Sequence, residues 1–515
     1  MNKEQILWAD DEIDLLKPHI LFLQNKGYEV TTVTNGRDAL DAISQQNFHL
    51  IILDENMPGI SGLEALQQIK IAQPNVPVIM ITKSEEENIM NQAIGSEIAD
   101  YLIKPVNPMQ ILLSIKKNLH SEALVAQKAT SDYQQEFMSI SQQIAMARTI
   151  DDWYQLYNTL VRWELTLSNA ETGMTDMLRM QKQEANSAFA KMVKRNYEKW
   201  VTTDDPPLMS NEIFKTQIFP HIDAGEKVCF IVIDNFRLDQ WRTISPLLND
   251  YFNIEKEELY TTILPTATQY ARNAIFSGLM PIDIERMFPE LWVDEDEDEG
   301  KNLNEAPLIQ TILDRYRRKC KFSYNKLNDS AAGERLVQHF AQLKNFDLNV
   351  IVFNFVDILS HARTESKMIR ELAYTDEAYR SLTVTWFKNS YVLEIFKRIA
   401  EQGWKIVLTT DHGTTRVDNA IKVIGDKNTN TNLRYKVGKN LSYNPRQVYE
   451  IKQPKRFGLP LLNVSSTYIF ASGRDFFAYP NNYNHYVQYY NDTFQHGGIS
   501  MEEMLVPLIT LTPQK

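Results

Sequence analysis

The stretch HLIILDENMPG, residues 49–59, decides the first fold. Four apolar residues, Leu50 to Leu53, run straight into Asp54 and then into a Met-Pro-Gly turn. That is the pattern of a strand buried on both faces that delivers a carboxylate to its end. The same texture recurs on either side. Upstream, QILWADD (5–11) closes on Asp10 and Asp11, and YEVTTV (28–33) follows. Downstream, VPVIMIT (76–82) closes on Thr82 and DYLIKP (100–105) on Lys104 and Pro105. Each run is short and leads into a segment long enough for a helix, so residues 1–120 read as a βα repeat with a parallel sheet. In a doubly wound sheet the carboxyl ends of the strands line one crevice. Asp10, Asp11 and Asp54 would repel one another there unless a cation neutralised them, and hard oxygen ligands with open positions favour Mg²⁺. A hydroxyl at Thr82 and an ammonium at Lys104 are the partners a phosphoryl anion needs.

The texture then changes. From Met109 to Asp205 there is no proline and a single glycine, Gly173. Trp153, Leu156, Tyr157, Leu160, Val161 and Leu165 recur at helical spacing, with Glu164 as the polar exception. Residues 121–205 therefore read as a helical-bundle spacer, with SNAETG (168–173) as a break between helices and TTDDPPL (202–208) as the closing linker. Beyond it, KVCFIVID (227–234), NVIVFNFVD (349–357) and WKIVLTTD (404–411) resume the βα texture over 206–515. The acidic run 294–299 between them reads as a solvated loop.

Composition narrows the function classes. The 515 residues are too many for one core, and 43% hydrophobic with 23% charged is ordinary for a folded protein. No run approaches the ~18 unbroken apolar residues of a membrane span, and the acidic start is unlike a signal peptide, so the expectation is a cytoplasmic protein without a membrane segment. Two cysteines, Cys229 and Cys320, cannot build a disulfide framework. A net charge of −12 argues against a duplex-DNA binder, and no recognition helix is visible.

The later strands end on a second set of chemistry. Asp234 ends one run, Asp357 ends another with His361 four residues on, and Asp411-His412 ends a third; His496 lies in QHGGIS (495–500). Aspartate with imidazole suits Zn²⁺, with Mn²⁺ possible, and six such ligands suffice for two metals that clamp a phosphoryl displacement. A nucleophile stands in LPTATQYARNAIFSG (264–278). Thr268 falls between a strand end and a helical run, a position that also suits a simple helix cap. Thr266 is two residues away.

Both sets resemble known families. The ordered residues DD…D-x-x-M-P-G…T…K-P resemble a bacterial response-regulator receiver domain, CheY-like, over residues 1–120. That resemblance implies Asp54 as phospho-acceptor. It also implies Mg²⁺ on Asp10, Asp11, Asp54 and the backbone carbonyl of Asn56, phosphoryl contacts from Thr82 and Lys104, and Tyr101 as aromatic switch. Lys83 departs from the pattern, standing where receivers usually carry a small residue. The marks D-x-x-x-H, strand-DHG, P-T-x-T and H-G-G-x-S-x-E-E…V-P resemble the alkaline phosphatase superfamily, closest to its PglZ branch and the phosphomutases, over about 206–515. That implies an alkaline-phosphatase-like α/β output domain. Asp234, Thr268, Asp411 and His412 would bind one metal, Asp357, His361 and His496 the other, and Thr268 would be the attacking group.

A receiver, a helical middle and a PglZ domain in one chain resemble the PorX-type response regulators of type IX secretion and gliding. The family implies a cognate sensor histidine kinase and a zinc-dependent phosphodiesterase acting on cyclic and linear oligonucleotides; dimerisation on phosphorylation is expected through the face that receivers commonly use to dimerise. The competing expectation is a signalling scaffold whose output domain binds a protein partner and retains its metals as structure. A last feature bears on substrate. Residues 427–456 hold eight basic residues and one acid, Glu450, interleaved with Tyr435, Tyr443 and Tyr449. Arg434, Lys436, Lys439 and Arg446 are the expected substrate contacts, a surface loop being the plainer reading.

Overall fold

The computed structural model describes residues 3–83, 87–168, 172–203, 206–294, 302–425, 429–463 and 465–514. Parts of the expected helix break, closing linker, acidic loop and basic insertion (169–171, 204–205, 295–301 and 426–428, with Lys427) thus lie outside the described residues. The chain divides into two compact units, Met1–Ser131 and Asp132–Lys515.

The first unit is a five-stranded parallel sheet in the order β2-β1-β3-β4-β5, from Gln5–Ala9 (β1), Glu29–Val33 (β2), Leu50–Asp54 (β3), Val78–Thr82 (β4) and Asp100–Ile103 (β5). The period of two sends Leu7, Leu53 and Met80 to one face and Ile6, Trp8, Ile52 and Ile79 to the other, each covered by helices. Ser61 and Glu64 form a capping box that starts the helix after β3. The last helix, Pro108–Met146, runs for 39 residues. It passes through residue 120, where a boundary is expected, without a break: after Pro108 it contains no proline or glycine to stop it.

The second unit centres on a mixed six-stranded sheet in the order β7-β18-β10-β6-β9-β8. Its strands are Val228–Ile233 (β6), Phe252–Thr261 (β7), Phe322–Leu327 (β8), Leu348–Phe353 (β9), Lys405–Thr409 (β10) and Leu505–Pro513 (β18). Only β18 is reversed. The carboxyl ends of the other five therefore share one edge. Between β10 and β18 the chain adds short strands: Thr415–Val417 (β11), Asn419–Lys422 (β12), Tyr435–Gly438 (β13), Tyr449–Ile451 (β14), Thr467–Phe470 (β15), Asp475–Ala478 (β16) and Thr493–Gln495 (β17).

The helices Ile150–Thr166 and Thr172–Thr202 belong to this same unit rather than to a free-standing bundle. The apolar stripe from Trp153 to Val161 is buried, as its spacing requires. Glu164, the exception, pairs with Lys182 at 2.7 Å and Arg380 at 2.8 Å. Lys182 also reaches Glu502 at 3.2 Å, and Asn186 donates to Glu502 at 2.9 Å. The spacer is thus ion-paired to the turn that follows His496. Among the described residues no helix is long and apolar enough to cross a membrane.

Candidate functional sites

In the first unit, Asp10 and Asp54 are buried at adjacent strand ends, with Asp11 and Glu12 exposed beside them. Asp10, Asp11 and Glu12 are close enough to share a cation. Lys104 bridges the crevice, 2.9 Å from Asp10 Oδ2 and 3.1 Å from Asp54 Oδ1. Burial pushes Asp54 up to about 6; Lys104 opposes this and Asp10 reinforces it. Burial pulls Lys104 down, but the two carboxylates outweigh it and leave the ammonium above its usual range. Thr82 is buried at the end of β4, Asn56 is exposed on the loop after β3, and Tyr101 packs half-buried against the cluster that holds Met80 and Leu66. Lys83 stands over the mouth and pairs with Glu12 at 2.8 Å, both partners being largely exposed.

In the second unit, Asp234, Asp411 and His412 gather in one cluster and Asp357, His361 and His496 in another. These are the two ligand sets expected, with one shift of position. Asp357 is not at a strand end, because β9 stops at Phe353; it lies in the first turn of the helix Phe355–Glu365. His361 follows one helical turn later, its Nε2 3.5 Å from Asp357 Oδ1. His496 Nε2 is 3.8 Å from the same oxygen. His412 Nε2 lies 3.7 Å from Asp234 Oδ1 and 3.9 Å from Asp411 Oδ2. The rings of His412 and His496 stack at 4.2 Å, which joins the two clusters.

Both histidines are set up as ligands by their far nitrogens. His412 Nδ1 faces the Gly413 carbonyl at 3.1 Å and His496 Nδ1 the Thr266 carbonyl at 3.1 Å. A carbonyl only accepts, so each Nδ1 carries a proton, and each Nε2 is the atom turned toward the carboxylates. Burial, then the neighbouring His412 and His361, hold His496 well below the usual range, so it stays neutral. Asp234 Oδ1 is buried with no hydrogen-bond donor, a vacancy of charge that a cation fits. The donor set of aspartate oxygens and imidazole nitrogens suits zinc.

Thr268 opens the helix Thr268–Ser277, its Oγ1 3.1 Å from His412 Nε2. Thr266 is otherwise engaged: its hydroxyl donates to the Gly498 carbonyl at 2.9 Å and accepts from Gly497 N–H at 2.9 Å. The two glycine marks have steric causes. Gly497 sits at φ +120°, and a Cβ on Gly413 would lie 2.0 Å from the Glu502 carbonyl.

Two residues at this site were not anticipated. Arg272, fully buried, donates to Asp411 Oδ2 at 2.9 Å, pairs with Asp234 and reaches Glu305 Oε1 at 3.1 Å. Burial lifts Asp234 despite this guanidinium, whereas Arg272 and His412 hold Asp411 down against burial. Arg272 lies one turn after Thr268, and that spacing was the available signal. Asn235 sits at φ +62° and donates through Nδ2 to Asp357 Oδ1 at 3.1 Å and Ser360 at 3.0 Å, tying the end of β6 to the second cluster.

The expected substrate contacts divide. Arg434 is fully buried and forked onto Glu503 at 2.6 and 3.1 Å, and Lys436 is buried with its ammonium on the Asn430 carbonyl at 2.7 Å. Both serve the fold: a buried cation needs its partners and has none to spare for substrate. Lys439 and Arg446 are exposed.

A parallel-sheet crevice with buried Asp54 and Lys104, and a mixed-sheet crevice with two clusters able to hold metal beside a hydroxyl, are the arrangement of a response regulator joined to a hydrolase-type domain. Comparison with known proteins gives the family. Residues 213–511 match the BREX system PglZ alkaline phosphatase-like domain, 123–201 the PorX response regulator linker domain and 6–116 the response regulator receiver domain. The chain belongs to the PglZ family, and the order receiver, PorX linker, PglZ makes it a PorX-type response regulator.

Curated relatives share part of the chain. The transcriptional regulatory protein ResD of Bacillus subtilis is 32% identical over 115 residues, 22% of this chain and 48% of that protein. The alkaline phosphatase synthesis transcriptional regulatory protein PhoP of Bacillus subtilis is 29% identical over 168 residues, 32% of this chain and 68% of that protein. The chain spans about half the length of the first curated relatives it matches. Among solved structures, chemotaxis protein CheY4 of Vibrio cholerae is 28% identical over 23% of this chain and all of that one, with a TM-score of 0.22.

Proposed function

We propose that this chain is a phosphorylation-controlled phosphodiesterase. A cognate sensor histidine kinase supplies the phosphoryl group to Asp54. The output domain holds two zinc ions, with manganese as the alternative, and hydrolyses cyclic and linear oligonucleotides. The setting is the cytoplasm, in control of type IX secretion and gliding; that setting and the oligonucleotide class rest on the PorX resemblance alone.

The observation that carries the enzymatic part is the Thr268 hydroxyl, 3.1 Å from His412 Nε2 and beside two complete ligand clusters. A domain kept only as a scaffold has no use for that placement, which favours catalysis over the partner-binding alternative. Asp234, Asp411 and His412 would hold one metal, with Thr268 beside it, and Asp357, His361 and His496 the other. Bound there, the metals would supply Lewis acidity toward the phosphoryl oxygens. Thr268 gives up its hydroxyl proton and attacks phosphorus, and one alcohol leaves with a proton; water then splits the bond from phosphorus to the threonine oxygen, freeing the other half as a phosphomonoester and restoring the hydroxyl. Arg272 and Asn235 act by position, keeping the aspartates aligned.

In the receiver, Asp10, Asp11, Asp54 and the carbonyl of Asn56 would hold Mg²⁺. Phosphorylation of Asp54 adds about −1.5 to −2 charges. Thr82 and Lys104 contact the new oxygens, Tyr101 turns in behind, and the repacked face dimerises. Metal analysis with assays on bis-p-nitrophenyl phosphate and a cyclic dinucleotide tests the enzyme: about two metals per chain and turnover of both are expected, and a metal-free, inert protein refutes it. Light scattering tests the switch. Beryllofluoride with Mg²⁺ should convert monomer to dimer, and an unchanged mass with Asp54 occupied excludes that route.

A further inference from the structure

We propose that the outer face of the helix Tyr483–Tyr490, with Arg370, is a stacking platform for the bases of a single-stranded oligonucleotide. The inference rests on the phosphodiesterase reading and adds the residues that hold the substrate away from the scissile bond.

The helix lies in YPNNYNHYVQYYND (479–492), which has five tyrosines and a histidine. Only part of that aromatic content is core. Tyr483, Val487 and Tyr490 point inward against Val417, Phe476 and Ala478, and the Tyr483 hydroxyl donates to the Ala420 carbonyl at 3.1 Å. This i, i+4, i+7 stripe is all that a helix of this length needs to dock. His485, Tyr486 and Tyr489 lie off that stripe. His485 and Tyr489 stack at 6.2 Å and 25°, Tyr486 stacks on Tyr490 at 6.2 Å and 13°, and Tyr486 is 37% exposed. His485 and Tyr486 are exposed and Tyr489 is half-buried.

A cation completes the face. The Arg370 guanidinium stands 5.6 Å from the Tyr489 ring centre. It is held from behind by the carbonyls of Arg363, at 3.3 Å, and Thr364. Those carbonyls belong to the helix that carries Asp357 and His361. From the other side, Tyr490 is six residues from His496, a reach of at most about 20 Å. Gln495 ties the two elements together through Thr364 Oγ1 at 3.4 Å. The platform therefore hangs from both elements that supply the second ligand cluster, within a few nucleotides' length of it. Aromatic faces with an arginine accept any base, since every base has a π face, and the guanidinium also suits phosphate. The nearby Asp492 is paired with Arg416, Glu365 bears on Tyr490, and Arg370 is the cation that faces the rings.

The test uses full-length zinc-loaded protein carrying Thr268→Val, so that the strand stays intact, and fluorescein-labelled hexadeoxyadenylate read by anisotropy. Combined His485→Ala, Tyr486→Ala and Tyr489→Ala should weaken binding at least about tenfold, the scale of one lost stacked base. An abasic strand of equal length should bind parent and variant alike, and Tyr486→Phe with Tyr489→Phe should keep affinity within about twofold. Unchanged affinity for hexadeoxyadenylate, or an equal loss for the abasic strand, overturns the platform. If the triple variant does not fold, Tyr486→Ala alone, at the exposed tyrosine, is read against the same two strands, with about fivefold expected and no change overturning. Turnover of bis-p-nitrophenyl phosphate by the chain with Thr268 intact reports the phosphodiesterase reading separately. Base-dependent binding without turnover defeats that reading and leaves the platform; turnover with base-independent binding defeats the platform alone.

Discussion

At the end of β3, Lys104 meets Asp10 and Asp54 with one ammonium that is 12% exposed. At the ends of β6 and β10, Arg272 meets Asp234, Asp411 and Glu305 with three nitrogens and no exposure. Both cations answer the same problem, carboxylates crowded at the carboxyl edge of a parallel sheet. They answer it with opposite mechanics. An ammonium on a flexible stem at the rim can change partners when a phosphoryl group arrives; a planar guanidinium fork pinned on three sides cannot. Glu305 is itself fixed by Tyr324 and by Lys326 at 2.9 Å. The receiver crevice is built to be rearranged, and the second crevice to stay in place while chemistry happens in it.

The largest effects that sharpen this contrast are on turnover. His361→Ala or His412→Ala should remove metal and lower diester hydrolysis at least about a thousandfold, read by metal content and rate on one sample. Asp54→Ala, at the other crevice, should leave the metal content of the output domain as it was. Next is stability. Arg272→Met takes from Asp234 and Asp411 the guanidinium they share and should cost about 3–5 kcal/mol in the unfolding free energy of the second unit. Lys104→Ala should cost the first unit clearly less, because its crevice opens to water. Equal losses would mean that the two cations are mechanically alike.

A smaller effect concerns pH. In the metal-free receiver Asp54 titrates near 6, above the roughly 4 of an unfolded chain. A carboxyl raised on folding contributes stability below its unfolded value and loses that contribution as pH rises through about 6. With chelator present, Asp54→Asn should therefore melt a few degrees above the parent at pH 7.5, and the gap should close toward pH 4.5. Calorimetry across that range checks it, and a gap that widens on acidification contradicts the sign. The smallest effect is at Lys83. Its pair with Glu12 is solvent-screened and adds little to stability. Lys83→Ser should open the mouth to water and shorten the life of the aspartyl phosphate by less than about tenfold, measured by loss of label from the phosphorylated chain.

What could be read before the fold was known follows from where each residue's partners lie. Asp54, Thr82 and Lys104 end apolar runs, and a strand end states its own position, so the receiver crevice was legible. Asp234, Asp411 and His412 were legible for the same reason. Asp357 and His361 were found through their spacing of four, although that spacing belongs to a helix and not to a strand end. Glu164 announced a buried ion pair by interrupting an apolar stripe, without revealing that Arg380 lies 216 residues on. Arg434 misled because its partner Glu503 is 69 residues away; a count of nearby charges cannot tell a buried fork from a solvated loop. Arg272 was hidden in YARNAIFSG (270–278), where an arginine among small and apolar residues looks like any surface position.

The comparison turns finally on whether the second crevice is a working site, and Thr268 decides that most directly. Hydrolysis of bis-p-nitrophenyl phosphate by zinc-loaded protein should be followed for the parent and for Thr268→Val, with bound metal counted on the same samples. The expected result is about two metals in both proteins and turnover in the parent alone. Near-full turnover by Thr268→Val would contradict the account.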